Sequence, residues 1–259
     1  MGSFERDTAV SSFAGDAGGF DCAIDPSWWV VAGPNGGYLA AIAVRAFEAH
    51  FGATEWPLRS LTMHYLRAPE PGPATVEVMV ERQGRSVTFA RARLAQDDRP
   101  FATAVAVLAK GRDSIELADV VAPDVARPDS VEALPQAEGP VPPFAEHFHF
   151  RPAIEAAEGR AVAGGWLRLR EERELDQPLV TALCDSWFPA VFALGGGPMA
   201  VPTLDLTVHL RAPLPRPDDW VLGRFRTRVI GDGLLEEDGE LFSTDGRLLA
   251  QSRQLALAR

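Results

Sequence analysis

The stretch LRSLTMHYLRAP, residues 58 to 69, returns later in the chain as VPTLDLTVHLRAP, residues 201 to 213. Both alternate apolar and polar residues, as a half-buried strand does, and both end in LRAP, begun at Leu66 and at Leu210, an offset of 144. The segments after each copy are also alike. After the first come ATVEVMVER, SVTFARARLAQ and FATAVAVLAK, with breaks at Gln83-Gly84-Arg85 and Asp97-Asp98. After the second come WVLGRFRTRVI, LLEEDGELFS and LLAQSRQLALA, with breaks at Gly231-Asp232-Gly233 and Thr244-Asp245-Gly246. Turn residues between strands of this length signal hairpins, so each copy opens a four-strand meander.

Working outward, each meander is preceded by a long apolar segment of helical character, NGGYLAAIAVRAFEAHF (35–51) and LVTALCDSWFPAVFAL (179–194). Neither has a wide polar face, which predicts helices enclosed on all sides. ERDTAVSSF and GFDCAI supply early strands of the first half, HFHFRPAI and GGWLRLRE those of the second. Between them, residues 111–146 are rich in Pro, Ala, Asp and Glu and read as a linker. The expected organisation is an α+β chain of two units, 1–110 and 147–259, joined by 111–146. Each unit is a curved antiparallel sheet wrapped around one long helix.

The totals narrow the function. A net charge of −11 argues against nucleic-acid or anionic-membrane partners. No apolar run is long enough to span a bilayer, and MGSFERDTAV lacks the apolar core of a secretory signal. Two cysteines, Cys22 and Cys184, are too few for a disulfide framework, which fits a reducing cytoplasm. No His or Cys cluster has metal-ligand spacing, so no metal is expected.

Asp185 is the residue this pattern does not explain. It lies inside the second apolar segment, with no Lys, Arg or His three or four positions away. A carboxylate there must be hydrogen-bonded, protonated or functional. Pro189 clashes with the carbonyl four residues earlier and cannot donate to it, so the helix is expected to bend or end near Asp185. Asn35 is placed to cap the first helix, and Gly36 and Gly37 open it with free N–H groups that a ligand can approach.

The tandem unit resembles the hotdog fold, and the pair resembles the double-hotdog acyl-CoA thioesterases of the TesB-like (thioesterase II) family. The likeness rests on GPNGGYLAAIAVRA (33–46), LRAP in both halves, CDSWFPAVF (184–192), TLDLTVHLRAP (203–213) and STDGRLLAQSRQ (243–254). It implies hydrolysis of an acyl-CoA thioester by water, with coenzyme A as part of the substrate, no separate cofactor and a homo-oligomeric state. It further implies a water held by a helix Asp, a strand Thr and a Gln near the C-terminus, here Asp185, Thr203 and Gln254. Strand alternation groups Gln254 with Ser252 and Ala256 and puts Gln251 on the other face. Hotdog enzymes commonly set a helix N-terminus of one unit near the acid of the other, which makes Gly36 and Gly37 oxyanion donors, beside Asn35. Tyr38 then lines the pocket or fills core. The His that better-known members carry before the first LR element is absent; Thr62, Met63 and His64 stand nearby, and His64 receives no role.

The internal repeat tests these assignments. The 144 offset sets Asp185 against Ala41 and Thr203 against Arg59, and aligning AVAVLAK with RQLALAR sets Gln254 against Val105. None of the three is kept, which favours a site in one half over a folding requirement in both. Arg224, Arg226 and Arg228 on one strand face, with Arg82, Arg85, Arg91 and Arg93, are candidates for coenzyme A phosphates, although solvated sheet explains such runs more often. The alternatives are a non-catalytic acyl-CoA-binding hotdog protein and a hotdog hydratase or dehydratase. The second needs a His five residues after the Asp, where this chain has Ala190.

Overall fold

Alternation along the repeated stretches becomes one continuous antiparallel sheet in the computed structural model, which describes residues 3–13, 18–134, 141–195, 199–217 and 219–259. The N-terminal half contains α1 (Ser3–Asp7), β1 (Ser11–Ser12), β2 (Gly19–Ile24), α2 (Gly36–Phe51), β3 (Leu58–Tyr65), β4 (Gly72–Gln83), β5 (Val87–Gln96) and β6 (Arg99–Ala109). The C-terminal half contains β7 (Phe148–Pro152), β8 (Ala161–Leu169), α3 (Gln177–Leu183), β9 (Thr203–Leu210), β10 (Val221–Thr227), β11 (Ile230–Gly231), β12 (Leu234–Ser243) and β13 (Leu248–Leu257). The sheet order is β1-β2-β4-β5-β6-β3-β9-β13-β12-β10-β8-β7, with β11 on β12. Read outward from the β3–β9 junction, the two directions are the same meander, β3-β6-β5-β4-β2 and β9-β13-β12-β10-β8. At the junction Thr62 faces Thr207, their hydroxyl oxygens 2.9 Å apart.

The period of two decides which side chains meet the helices. Along β5, Thr88, Ala90, Ala92 and Leu94 are buried, while Phe89, Arg91 and Arg93 point outward. α2 lies on the inner face and is buried almost without break from Gly37 to Phe47, as its lack of a polar face requires. Each fully buried Ile, Leu or Phe there contributes about 1.5–3 kcal/mol. Asn35 caps its start, its side chain accepting from the Tyr38 N–H, and Gly52 at φ 82° ends it.

The second helix is shorter than the apolar stretch 179–194 suggests. α3 covers Gln177–Leu183, Cys184 and Asp185 form a closing turn, and a separate 3-10 helix occupies Ala190–Leu194. The break falls near Asp185, where Pro189 requires it. The segment after β6 also departs from a free spacer. Val120, Ala122, Val125 and Val131 pack over Trp166, Trp220, Leu222 and Phe242 on the outer face of the C-terminal sheet. The Trp166 indole donates to the Ala126 carbonyl at 2.8 Å. Scattered apolar residues without a period gave no sign of this strap. The part of the expected linker at 135–140 lies outside the described residues.

Candidate active site

The α3 break and the α2 start meet at Asp185. The Asp185 carbonyl, which Pro189 cannot engage, accepts from Asn35 Nδ2 at 2.6 Å. The carboxylate Oδ2 accepts from the Gly37 N–H at 2.9 Å and from Asn35 Nδ2 at 3.2 Å. One Asn thus caps α2 through Oδ1 and holds Asp185 through Nδ2, using both ends of the amide. The glycines are there because nothing larger fits. A Cβ on Gly37 would come within 2.4 Å of the Ala182 carbonyl oxygen, and one on Gly36 within 2.9 Å of Asp185 Oδ2. The Tyr65 hydroxyl closes the corner, donating to the Gly36 carbonyl at 2.7 Å.

Asp185 keeps part of its surface exposed while lying among densely packed protein atoms. Loss of solvation pushes its pKa up to about 6, against the opposing pull of the α2 amides. It has no cationic partner among the described residues. Burial likewise pushes the neighbouring Cys184 thiol upward, which keeps it protonated and makes it core, not a nucleophile.

Thr203 and Gln254 come together on the sheet. The Thr203 hydroxyl donates to Gln254 Oε1 at 2.8 Å. Plain alternation would turn Thr203 outward with Asp205 and Thr207. A β-bulge prevents this: Asp205 pairs with Leu255 but Thr203 pairs with Ala256, leaving Leu204 as the extra residue. Thr203 thereby joins the face of Gln254, which is 8% exposed, whereas Gln251 sits on the other face accepting from Arg211. Gln254 Nε2 then donates to Glu237 Oε1 at 3.0 Å, and the Asp185 charge helps to raise the Glu237 pKa. Among the described residues no direct hydrogen bond joins Asp185 to Thr203 or Gln254, so the three do not form a bonded triad; the Asp185 charge is felt at Glu237, the acceptor of Gln254.

Of the other expected residues, Gly37 spends its N–H on Asp185 and not on an open position. Tyr38 is core: its ring stacks on Trp28 at 5.0 Å and its hydroxyl donates to the Asp7 carbonyl at 2.9 Å, so it does not line a pocket. His64 is exposed on the outer face. Arg224, Arg226 and Arg228 do share a face, but Glu236, Asp238 and Glu240 of β12 pair with them. Arg91 pairs with Glu81. Arg82 and Arg85 line a surface depression of about 350 Å³ at the β4–β5 turn. Another, of about 270 Å³, lies beside Glu171, Arg173 and Asp176. Neither reaches Asp185. Among the described residues no three His, Cys, Asp or Glu side chains converge as metal ligands, and no helix is long and apolar enough to cross a membrane.

Sequence reasoning missed Tyr65 and Glu237. Both were findable from alternation. Tyr65 follows Leu61 and Met63 on the inner face, and Glu237 stands between Leu235 and Gly239; the charge run EEDGE disguised it as a solvated hairpin.

Comparison with known proteins supplies the missing context. Residues 25–109 match the model of the acyl-CoA thioesterase N-terminal domain, and residues 128–258 that of the acyl-CoA thioesterase C-terminal domain. This chain belongs to the acyl-CoA thioesterase family. The double hotdog is shared with a conserved Alicyclobacillus acidocaldarius protein of unknown function (TM-score 0.90, 27% identity, 100% of this chain and 98% of that one). It is shared with the acyl-CoA thioesterase II TesB2 of Mycobacterium marinum (TM-score 0.79, 18% identity, 99% and 97% covered), a likeness of fold. An uncharacterised Mycobacterium tuberculosis protein is 28% identical over 92% of this chain and 90% of its own length. The acyl-CoA thioesterase family and the double hotdog expected from the sequence are therefore established.

Proposed function

We propose that this chain hydrolyses an acyl-CoA thioester to a free acid and coenzyme A by direct attack of water, without a covalent acyl-enzyme. The observation that carries the reading is Asp185: a densely surrounded carboxylate without a cation, held by the helix start of one half and within electrostatic reach of Glu237, which accepts from Gln254 of the Thr203–Gln254 pair in the other. A base poised near pH 6 is ionised at neutral pH and basic enough to take a proton from water. In this mechanism Asp185 takes that proton as the water oxygen bonds to the thioester carbon. Thr203 holds the water, and Gln254 fixes the Thr203 hydroxyl. Charge builds on the carbonyl oxygen, and the positive end of α2 favours it. As Asp185 becomes protonated it accepts more weakly, which frees the Gly37 N–H, with that of Gly36, for the oxyanion. Collapse expels the coenzyme A thiolate, which takes up a proton.

The test is thiol release from acyl-CoA esters of rising chain length by the wild type and Asp185→Asn. Chain-length-dependent turnover lost in the variant supports the reading. A folded wild type that releases no thiol from any ester, or equal rates in the two proteins, refutes it.

A further inference from the structure

The inner face of β12 presents Leu235, Glu237, Gly239 and Leu241, all buried. A sheet face packed against a core calls for apolar or small residues, and Glu237 breaks the pattern at 4% exposure. Among the described residues no Lys, Arg or His pairs with it. Two donors lie within hydrogen-bond distance instead, the Ala190 N–H at 2.5 Å on Oε2 and Gln254 Nε2 at 3.0 Å on Oε1, and the nearby Thr227 hydroxyl also favours the charged form. Gln254 lies directly opposite on β13.

The chemistry of these groups gives the contacts a direction. An ionised carboxylate only accepts, so Gln254 must turn its NH₂ toward Glu237 and its oxygen toward Thr203. Thr203 must then donate its single proton to Gln254, leaving its oxygen as an acceptor for anything else. A water that attacks through a lone pair needs acceptors for its protons, and Asp185 and Thr203 would be those acceptors. Were Gln254 reversed, Thr203 would accept from Nε2 and donate to the water, occupying the lone pair the reaction uses.

We propose that Glu237 is a positioning residue that sets the direction of the chain Thr203→Gln254→Glu237 and so keeps Thr203 an acceptor toward the attacking water. This rests on the thioesterase reading above. The fold does not need the chain: the corresponding pair in the N-terminal half, Ala90 opposite Ala106, is buried and apolar. The titratable group facing Glu237 is Asp185, from the end of α3. Thr227 on β10 is neutral, the Ala190–Leu194 turn carries no charge, and strand neighbours Glu236 and Asp238 point outward to Arg228 and Arg253. Burial and the Asp185 charge push Glu237 up to about 7, so the lock weakens as pH falls through neutrality.

Glu237→Gln tests this with nearly unchanged shape. The Ala190 N–H holds the oxygen of the new amide, so its NH₂ faces Gln254 and forces the reversed chain. The expected result is a kcat loss of up to roughly 10²-fold, with KM within about twofold. Glu237→Leu breaks the chain without reversing it and should lose less than Glu237→Gln. A merely structural Glu would give the opposite ranking. Wild-type kcat in Glu237→Gln, or the greater kcat loss in Glu237→Leu, overturns the proposal. A second readout is independent of turnover: the side-chain amide NMR signals of Gln254, identified by their loss in Gln254→Ala. They should titrate near pH 7 in the wild type and stay flat in Glu237→Gln. If the wild type releases no thiol, the thioesterase reading fails and these signals alone decide the chain direction; signals insensitive to both pH and Glu237→Gln overturn it.

Discussion

The two halves are built on one meander, yet they treat the same four places in opposite ways. Thr203 sits opposite Ala256 at the bulge of its half, and Leu58 sits opposite Leu108 at the matching bulge of the other. Two residues along each last strand are Gln254 and Ala106; across from these are Glu237 and Ala90. Counted from the helix caps Asn35 and Asp176, Asp185 corresponds to Val44. The C-terminal half thus carries Asp, Thr, Gln and Glu where the N-terminal half carries Val, Leu, Ala and Ala. These counterparts replace Ala41 and Arg59 of the 144 offset and Val105 of the final-strand alignment, because helix lengths and bulges shift the alignment by one to three residues. The contrast survives the correction.

The helix starts differ in the same sense. Asn35, Gly36 and Gly37 leave α2 open to a carboxylate, whereas α3 begins with Asp176, Gln177 and Pro178. There the Gln177 Oε1 accepts from the Leu58 N–H at 2.9 Å. Asp176 is taken by Arg45 and Arg173. One end holds an acid without a cation, and the other is sealed by an ion-pair network. Duplicated folds can carry a polar site in one copy because the other copy supplies ordinary core.

The most severe way to break this comparison is Asp185→Asn, which keeps the shape and removes the base. We expect a kcat loss of roughly 10²–10⁴-fold in thiol release, while thermal unfolding shows the protein still folded. Because the folded-state pKa is raised, the ionised form is disfavoured in the native protein. That cost is present above about pH 6 and disappears at low pH, so Asp185→Asn should gain stability relative to wild type at pH 8 and lose that advantage near pH 3. In the wild type, kcat should fall as pH drops through about 6.

Next comes Gly37→Ala. Its Cβ meets a backbone oxygen that cannot swing aside, so α2 and α3 must separate. Overpacking of this kind costs about 1–3 kcal/mol, readable as a lower Tm in calorimetry. An unchanged Tm would show that the helix contact is loose. Thr203→Val and Gln254→Ala should each reduce kcat roughly tenfold, the scale of one hydrogen bond of about 1.4 kcal/mol, and less than Asp185→Asn. Smallest in rate is Arg45→Met at the sealed end. It should lower Tm, because Asp176 and Glu48 lose a shared cation, but leave kcat within about twofold, as expected for independent sites. A large kcat loss there would mean that the two ends are coupled.

The sequence by itself determined the tandem meander, because period-two alternation and turn residues are local and repeat at nearly constant spacing. It determined that Asp185 is out of place, since the absence of a nearby cation can be read directly, and that the helix stops there, since Pro189 acts within four residues. The side of β13 that Gln254 occupies also came from alternation. Only the tertiary structure decided that Asn35 and Gly37, some 150 positions before Asp185, are its donors. It alone showed the bulge at Leu204 that turns Thr203 inward against its own alternation, the acid that faces Gln254 across the ladder, and the strap over Trp166. Each of these depends on which strands and helix ends become neighbours. That is settled by burial of the whole inner face, a sum over both halves that no local window contains.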